Sequence, residues 1–100
     1  MVQVIWTDES KRDLKAIGDY LRKSSAEFAE TVVFQIYESV GRLYDFPRLG
    51  RVVPEFNIHD IRELIHDGYR IVYLLHEDEV HILAVLHGKQ DLVKKLSRRK

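Results

Sequence analysis

The sequence contains no cysteine, which removes disulfides and thiolate metal ligands together. It has no apolar run approaching the roughly 20 residues that a membrane-spanning helix needs, so no membrane partner is expected. The chain opens on strand-like Val2-Gln3-Val4-Ile5-Trp6 instead of a basic segment followed by a long apolar one, and the expected location is the cytoplasm. Neither sign of charge is in excess. The 16 basic residues match 16 acidic ones, which argues against a surface built wholly for polyanions. The glycines stand isolated at 18, 41, 50, 68 and 88, so no phosphate-cradling loop supports a nucleotide. His59, His66, His76, His81 and His87 lack the helical His-x-x-x-His spacing of a zinc site. No cofactor and no metal are expected.

What the chain does have is 45% hydrophobic content in 100 residues, enough for one modest core. A single domain over 1–100 is expected, without an internal linker and with stability to gain from a bound partner.

The last third carries the strongest local signal. Ile61-Arg62-Glu63-Leu64, Tyr69-Arg70-Ile71-Val72-Tyr73 and the run from Val80 to Leu92 are separated by little more than Asp67-Gly68 and Glu77-Asp78-Glu79. Gaps this short predict a meander of three antiparallel strands. Asp-Gly between β-branched and aromatic runs specifies a type I′ turn, which needs positive φ at both central residues.

Upstream, Val2 to Trp6 predicts a strand, and Thr7 or Asp8 offers an N-cap oxygen for a helix running to about Lys23. Leu14, Ile17 and Leu21 form its apolar stripe, with Lys11, Arg12, Asp19 and Arg22 on the solvated side. Ser24-Ser25-Ala26-Glu27 fits a capping box that separates this helix from a second one. There Ala29, Val32, Val33, Ile36, Val40 and Leu43 recur at helical spacing, and Pro47 predicts closure near Tyr44. So short a connection makes the pair an antiparallel hairpin. Phe46 to Arg51 predicts a turn, and Val52-Val53-Pro54 a short edge piece, because proline donates no ladder hydrogen bond. The fold class is α+β in the order β-α-α-β-β-β, with the hairpin on one face of a small, mainly antiparallel sheet. The segment after Asp91 has room for a short C-terminal helix. The basic end, Lys94, Lys95, Arg98, Arg99 and Lys100, reads as a solvated terminus before it reads as a nucleic-acid contact.

Loops at Asp67-Gly68 and Asp78-Glu79 would set His66 opposite Tyr69, Glu77 opposite Val80, and Arg70 opposite both Ile65 and His87. One sheet face would then carry Glu63, Arg70, His76, His81 and His87 among Ile61, Ile65, Val72, Leu74, Leu83 and Val85. The other, with Leu64, Tyr69, Ile71, Tyr73, Leu75, Ile82, Ala84 and Leu86, would pack beneath the helices and leave the polar-bearing face to partners. A slip of one residue would turn the last strand over.

Trp6 and the tyrosines at 20, 37, 44, 69 and 73 admit a base-stacking platform, and equally core or partner-contact roles. Phe28, Val33 and Tyr37 lie outside the main stripe of the second helix, an apolar fringe suited to a partner helix laid into a groove.

The order of elements, with Pro-Arg-Leu-Gly-Arg at 47–51, Ile-Arg-Glu-Leu at 61–64, Tyr-Arg-Ile-Val-Tyr at 69–73 and Val-Leu-His-Gly-Lys-Gln-Asp-Leu at 85–92, resembles the RelE/ParE superfamily of bacterial type II (plasmid stabilisation) toxins. The resemblance covers nearly the whole chain. It implies a growth-arresting toxin held inactive by a cognate antitoxin that wraps it, the complex binding operator DNA through the antitoxin. It also implies one of two targets. RelE-like members are endoribonucleases that cut messenger RNA on the ribosome, whereas ParE-like members poison DNA gyrase and need no catalytic set. An inert, toxin-like partner of an antitoxin is a further reading.

For the RelE-like branch, RNA transesterification needs a base for the 2′-hydroxyl, a cation for the phosphorane charge and an acid for the leaving oxygen. Glu63, Arg70 and His87 have that chemistry. By resemblance, the RelE-like arginine of the Tyr-Arg pair falls on Arg70, and a further basic residue after the glycine falls on Lys89 or Gln90. No tyrosine follows Tyr73 to match the carboxyl-terminal tyrosine of some members. Arg70 reads equally as an ion-pair partner of Glu63, and His87 as a satisfied strand-end group. Phe28, Val33, Tyr37, Arg51 and Arg62 are the candidate contacts for antitoxin or target, with Glu55 beside them. The balanced charge, the helical hairpin and the Pro-Arg-Leu-Gly-Arg turn lean toward the gyrase-directed branch.

Overall fold

The computed structural model describes residues 2–97; Arg98, Arg99 and Lys100 of the basic end lie outside the described residues. Strand β1 (Gln3–Trp6) runs into helix α1 (Asp8–Arg22) through Thr7. The Thr7 Oγ1 accepts from the Ser10 amide at 3.1 Å and donates to the Ile82 carbonyl at 2.7 Å. One hydroxyl thus caps the helix and pins it to the sheet, which selects Thr7 over Asp8 as the cap. Helix α2 (Ala26–Gly41) starts on Ser25, whose Oγ accepts from the Phe28 amide at 3.1 Å. The capping box expected from Ser24 does not form. The Ser24 amide is spent on the Leu21 carbonyl at the end of α1, so the cap moves on one residue and Phe28 falls where the box needs glutamate. A 3-10 turn over Arg42–Tyr44 follows α2.

Strands β2 (Arg51–Val52), β3 (Ile61–His66), β4 (Tyr69–His76) and β5 (Glu79–His87) complete a sheet of order β1-β5-β4-β3-β2. Among the described residues, only the β1–β5 pair is parallel. Asp67 and Gly68 both take positive φ, 47° and 83°, as the tight turn demands. The β3–β4 register is the expected one, with Ile65 opposite Arg70 and Glu63 opposite Val72.

Strand β5 departs from expectation in two ways. The second loop is Glu77-Asp78, with His76 opposite Glu79 and Glu77 at φ 55°. That change slides β5 by two positions and leaves its facing intact. The second departure is a bulge: Tyr73 pairs with Ile82 but Val72 pairs with Ala84, leaving Leu83 as the extra residue. One extra residue inverts the facing of everything beyond it. Val85 therefore joins the core beneath the helices, while Ala84 and Leu86 turn to the opposite face beside Val72. His87 stands opposite Tyr69, not Arg70. The strand also stops at His87, short of Leu92. The Gly88 amide bonds the Gly68 carbonyl, and the Asp91 carboxylate caps helix α3 (Leu92–Ser97) at the Lys94 amide.

The sheet consequently separates two clusters. Leu14, Val32, Ile36, Val40 and Leu43 of the helical layer pack on Leu64, Ile71, Tyr73, Val80, Ile82 and Val85. On the other face Val53, Val72, Ala84, Leu86 and Leu92 form a smaller core, flanked by Phe56, Ile61, Leu83 and Leu96. The face expected to remain open is therefore partly covered by α3 and by the segment after β2.

The bulge is held by one carboxylate. Strand β1 ends at Trp6, opposite Ile82, so β5 runs on without its parallel neighbour. Beyond that point Asp13 Oδ2 of α1 accepts from the Val85 amide at 3.0 Å, and Oδ1 meets Lys95 Nζ of α3 at 3.0 Å. Asp13 is buried and ties helix, bulged strand and C-terminal helix together. Replacing it by alanine strands a buried amide and should lower the unfolding free energy by about 2–3 kcal/mol. Asp13→Asn, which keeps an acceptor oxygen, should cost less. Chemical denaturation measures both, and an alanine variant as stable as the native chain would remove this role.

Candidate functional site

Pairing of β2 with β3 sets Arg51 opposite Glu63, and Arg70 lies two residues from Val72, the β4 partner of Glu63. Long side chains reach across such a diagonal. The Glu63 side chain has 0% exposure. Its Oε2 accepts from Arg51 Nε at 2.8 Å and its Oε1 from Arg70 Nε at 2.5 Å. Arg70 then uses its remaining nitrogens on Glu55: Nη1 donates to Oε2 at 2.6 Å and Nη2 to Oε1 at 2.7 Å. The result is a chain of alternating charge, Arg51, Glu63, Arg70, Glu55, on the face carrying the smaller core.

The burial of Glu63 is tolerable because both of its oxygens receive charged donors; one partner lost would leave a desolvated charge. Arg70 is only 12% exposed, and its bonds with Glu55 and Glu63 raise its pKa further above the ordinary range. The same hydrogen bonds from Arg70 hold the Glu55 carboxyl down to about 2, against an ordinary 4.5.

The turn before β2 is fixed against this site. The Gly50 amide donates to Tyr73 Oη at 2.9 Å, and Arg62 Nη1 donates to the Gly50 carbonyl at 3.0 Å. A Cβ on residue 50 would fall 2.5 Å from the Glu63 carbonyl oxygen and 2.7 Å from Tyr73 Oη, so the glycine of Pro-Arg-Leu-Gly-Arg is a close-approach residue. Burial pushes the Tyr73 phenol up, keeping it a neutral partner for the amide. Arg62 also donates to the His59 carbonyl at 3.0 Å, so its guanidinium braces this turn.

His87 and Lys89 belong elsewhere. The His87 ring meets Tyr69 edge-on at 5.5 Å, and the Lys89 amide donates to His87 Nδ1 at 3.3 Å. With Tyr20, Tyr69 and Lys95, His87 lines a 510 Å³ groove on the helical side of the sheet. The structure brings Glu63 and Arg70 together and leaves His87 and Lys89 apart from them.

A third feature lies between the helices. Trp6 stacks on Tyr37, with ring centroids 5.4 Å apart and planes 10° from parallel. They line a 390 Å³ groove with Leu14, Gly18 and Val33, bordered by Lys11, Lys15 and Arg22. Tyr37 is 59% exposed. Phe28 is not part of this groove: nine residues before Tyr37, it projects about 180° away around the helix. The tyrosines form no single platform, since Tyr73 is buried in the core and Tyr20 stands exposed on α1.

Sequence reasoning missed Asp13, whose signal was a polar residue in the helical phase of Ile17. It also left Glu55 between a target contact and ordinary surface charge; nothing local in Pro54-Glu55-Phe56 announces an ion pair with a strand 15 residues on.

Glu63→Ala should destabilise the chain by about 3 kcal/mol, since it removes the buried member of the pair. Arg51→Ala, although its own side chain is 61% exposed, takes the charged donor from buried Glu63 Oε2 and should cost about 2–3 kcal/mol. Because the folded-state pKa of Glu55 lies below its unfolded value, its stabilisation is complete above about pH 4.5 and disappears as pH falls through about 2. Thermal melts of Glu55→Gln against the native chain should therefore differ at pH 6 and converge toward pH 2; a constant difference across that range would contradict the pairing.

Residues 4–92 match the ParE toxin family of the type II toxin–antitoxin system parDE. Toxin RelE2 of Caulobacter vibrioides is 31% identical over 89 residues, covering 88% of this chain and 97% of that one. Among solved structures, the chromosomal ParDE toxin–antitoxin system from P. aeruginosa superposes with a TM-score of 0.73 at 26% identity, covering 87% of this chain and 96% of the other. The RelBE2 toxin–antitoxin complex of Mycobacterium tuberculosis shares the fold, with a TM-score of 0.57 at 22% identity over 86% of this chain and 90% of that one. The fold, the element order and these matches agree: the chain belongs to the ParE toxin family of type II toxin–antitoxin systems, within the RelE/ParE superfamily.

Proposed function

We propose that this toxin arrests growth by binding its target, with DNA gyrase favoured, and that it does so without cutting RNA. The observation that carries this reading is the state of Arg70. All three nitrogen positions of its guanidinium are engaged by Glu63 and Glu55, and His87 faces the other side of the sheet. A nuclease needs a cation open to the phosphate and a proton-transfer group within reach of it. The second reading, a ribosome-dependent nuclease, draws on the resemblance to Toxin RelE2 and on the Glu63–Arg70 pair itself.

Messenger RNA 5′ ends mapped minutes after a pulse of the protein separate the two. Growth arrest with intact messages, and with DNA damage that a gyrase poison produces, is the expected result. New ends inside translated codons, lost with Arg70→Ala, would replace this reading by the nuclease one.

The antitoxin is the partner of the Trp6–Tyr37 groove in this reading. An apolar floor with Lys11, Lys15 and Arg22 around it suits an amphipathic helix bearing acidic residues at the edge of its apolar face. The antitoxin also carries the complex to operator DNA. Tyr37→Ala should weaken antitoxin binding by about 2 kcal/mol, roughly thirtyfold. Calorimetric titration with the cognate antitoxin checks this, and unchanged affinity would move the docking surface elsewhere.

A further inference from the structure

We propose that the acid-rimmed groove beside the Pro-Arg-Leu-Gly-Arg turn is the surface by which this toxin grips its target, through a segment of that protein rich in lysine or arginine and carrying an apolar residue. The groove has a volume of 690 Å³, with Phe46 and Leu49 of the turn, Val2 just before β1 and Leu75 of β4 among its lining. Its walls are held by hydrogen bonds outside the sheet ladder. The Val2 amide bonds the Tyr44 carbonyl at 3.2 Å, the Leu49 amide the Phe46 carbonyl at 3.0 Å, and the Leu75 amide the Asp60 carbonyl at 2.8 Å. A partner therefore meets a preformed surface, and little binding energy goes into ordering it. Phe46 is 64% exposed and Leu49 45%, so apolar side chains stand open on this surface.

Charge identifies the occupant. Asp45, Asp60, Glu77 and Glu79 border the groove against one cation, Arg48. Among the described residues none of these carboxylates meets a lysine or arginine; Asp60 and Glu79 reach only His59 and His81. The Trp6–Tyr37 groove is the reverse, bordered by Lys11, Lys15 and Arg22, and it lies at the other end of β1 from Val2. An acidic partner helix suited to that groove is repelled at this one. An enzyme that holds DNA exposes lysine and arginine to the phosphate backbone, and those groups complement the acidic rim. The inference rests on the proposed function for the identity of the partner, and Arg70 takes no part in it. Opposite rims at the two ends of β1 let one toxin tell antitoxin from target by charge.

The test compares the full-length native chain with the double variant Asp45→Lys, Glu77→Lys and with Glu30→Lys, a reversal at an exposed position of α2. Each is pulsed in cells at matched levels for growth, then purified for inhibition of plasmid supercoiling by DNA gyrase and for calorimetric titration with the cognate antitoxin. The double variant should fail to arrest growth, and the concentration that half-inhibits gyrase should rise at least about tenfold. Phe46→Ala should weaken inhibition in the same direction. Antitoxin affinity should stay within about twofold of native, which also shows that the variants fold, and Glu30→Lys should behave as the native chain. A double variant as toxic as the native chain, a matching loss in Glu30→Lys, or an equal fall in antitoxin affinity would overturn the inference. Growth arrest by the native chain without gyrase inhibition would remove gyrase as the target, while arrest lost in the double variant would still uphold the groove. No arrest by the native chain would overturn both.

Discussion

The Glu63 carboxylate, buried between two guanidinium groups, is the constraint around which the sheet face carrying the smaller core is organised. A buried carboxylate must have its oxygens satisfied by charged donors or it costs several kcal/mol. That requirement places Arg51 at the edge strand β2 and turns Arg70 so that its Nη groups look outward. Glu55 follows, because an oriented fork with no partner is itself unfavourable. The close approach at Gly50, the Tyr73 hydroxyl beneath it and the Arg62 brace all hold β2 where Arg51 can reach. Charge in this region is spent on structure, which is why the overall balance of the composition tells little about function.

The second determinant is the extra residue at Leu83. Without it, His87 would share a face with Arg70 and the three groups of a general acid–base set would converge. With it, β5 is inverted beyond Ile82, its freed Val85 amide is taken by Asp13, and His87 looks into a groove on the helical side. A bulge next to a functional region re-aims side chains. Here it separates the imidazole from the guanidinium by the thickness of the sheet.

Much of the fold was legible because its signals are local. Asp67-Gly68, Thr7, and the helical spacing from Ala29 to Leu43 each determine an element within a few residues. The β3–β4 register followed from the turn between them. The Ser24 box failed because two helices compete for one serine pair, and the competition is settled by the Leu21 carbonyl. The bulge left no mark in the pattern: Ile82, Leu83, Ala84, Val85 and Leu86 are all apolar, so alternation could not reveal an inserted residue. The covering of the second face by α3 was hidden for a related reason, since one turn carrying Leu92 and Leu96 is too short to read as an amphipathic helix. The Arg70–Glu55 contact joins a loop to a strand and has no periodic signature at all.

The account turns on Arg70 being saturated in the free toxin. Nitrogen-15 NMR of the arginine side chains measures this directly, because a guanidinium held by two carboxylates has its Nη groups locked against rotation. Separate, slowly exchanging Nη resonances for Arg70, collapsing to an averaged signal when Glu55 is replaced by alanine, are the predicted result. A freely rotating Arg70 in the native chain would contradict the account and return this residue to the pool of groups open to substrate.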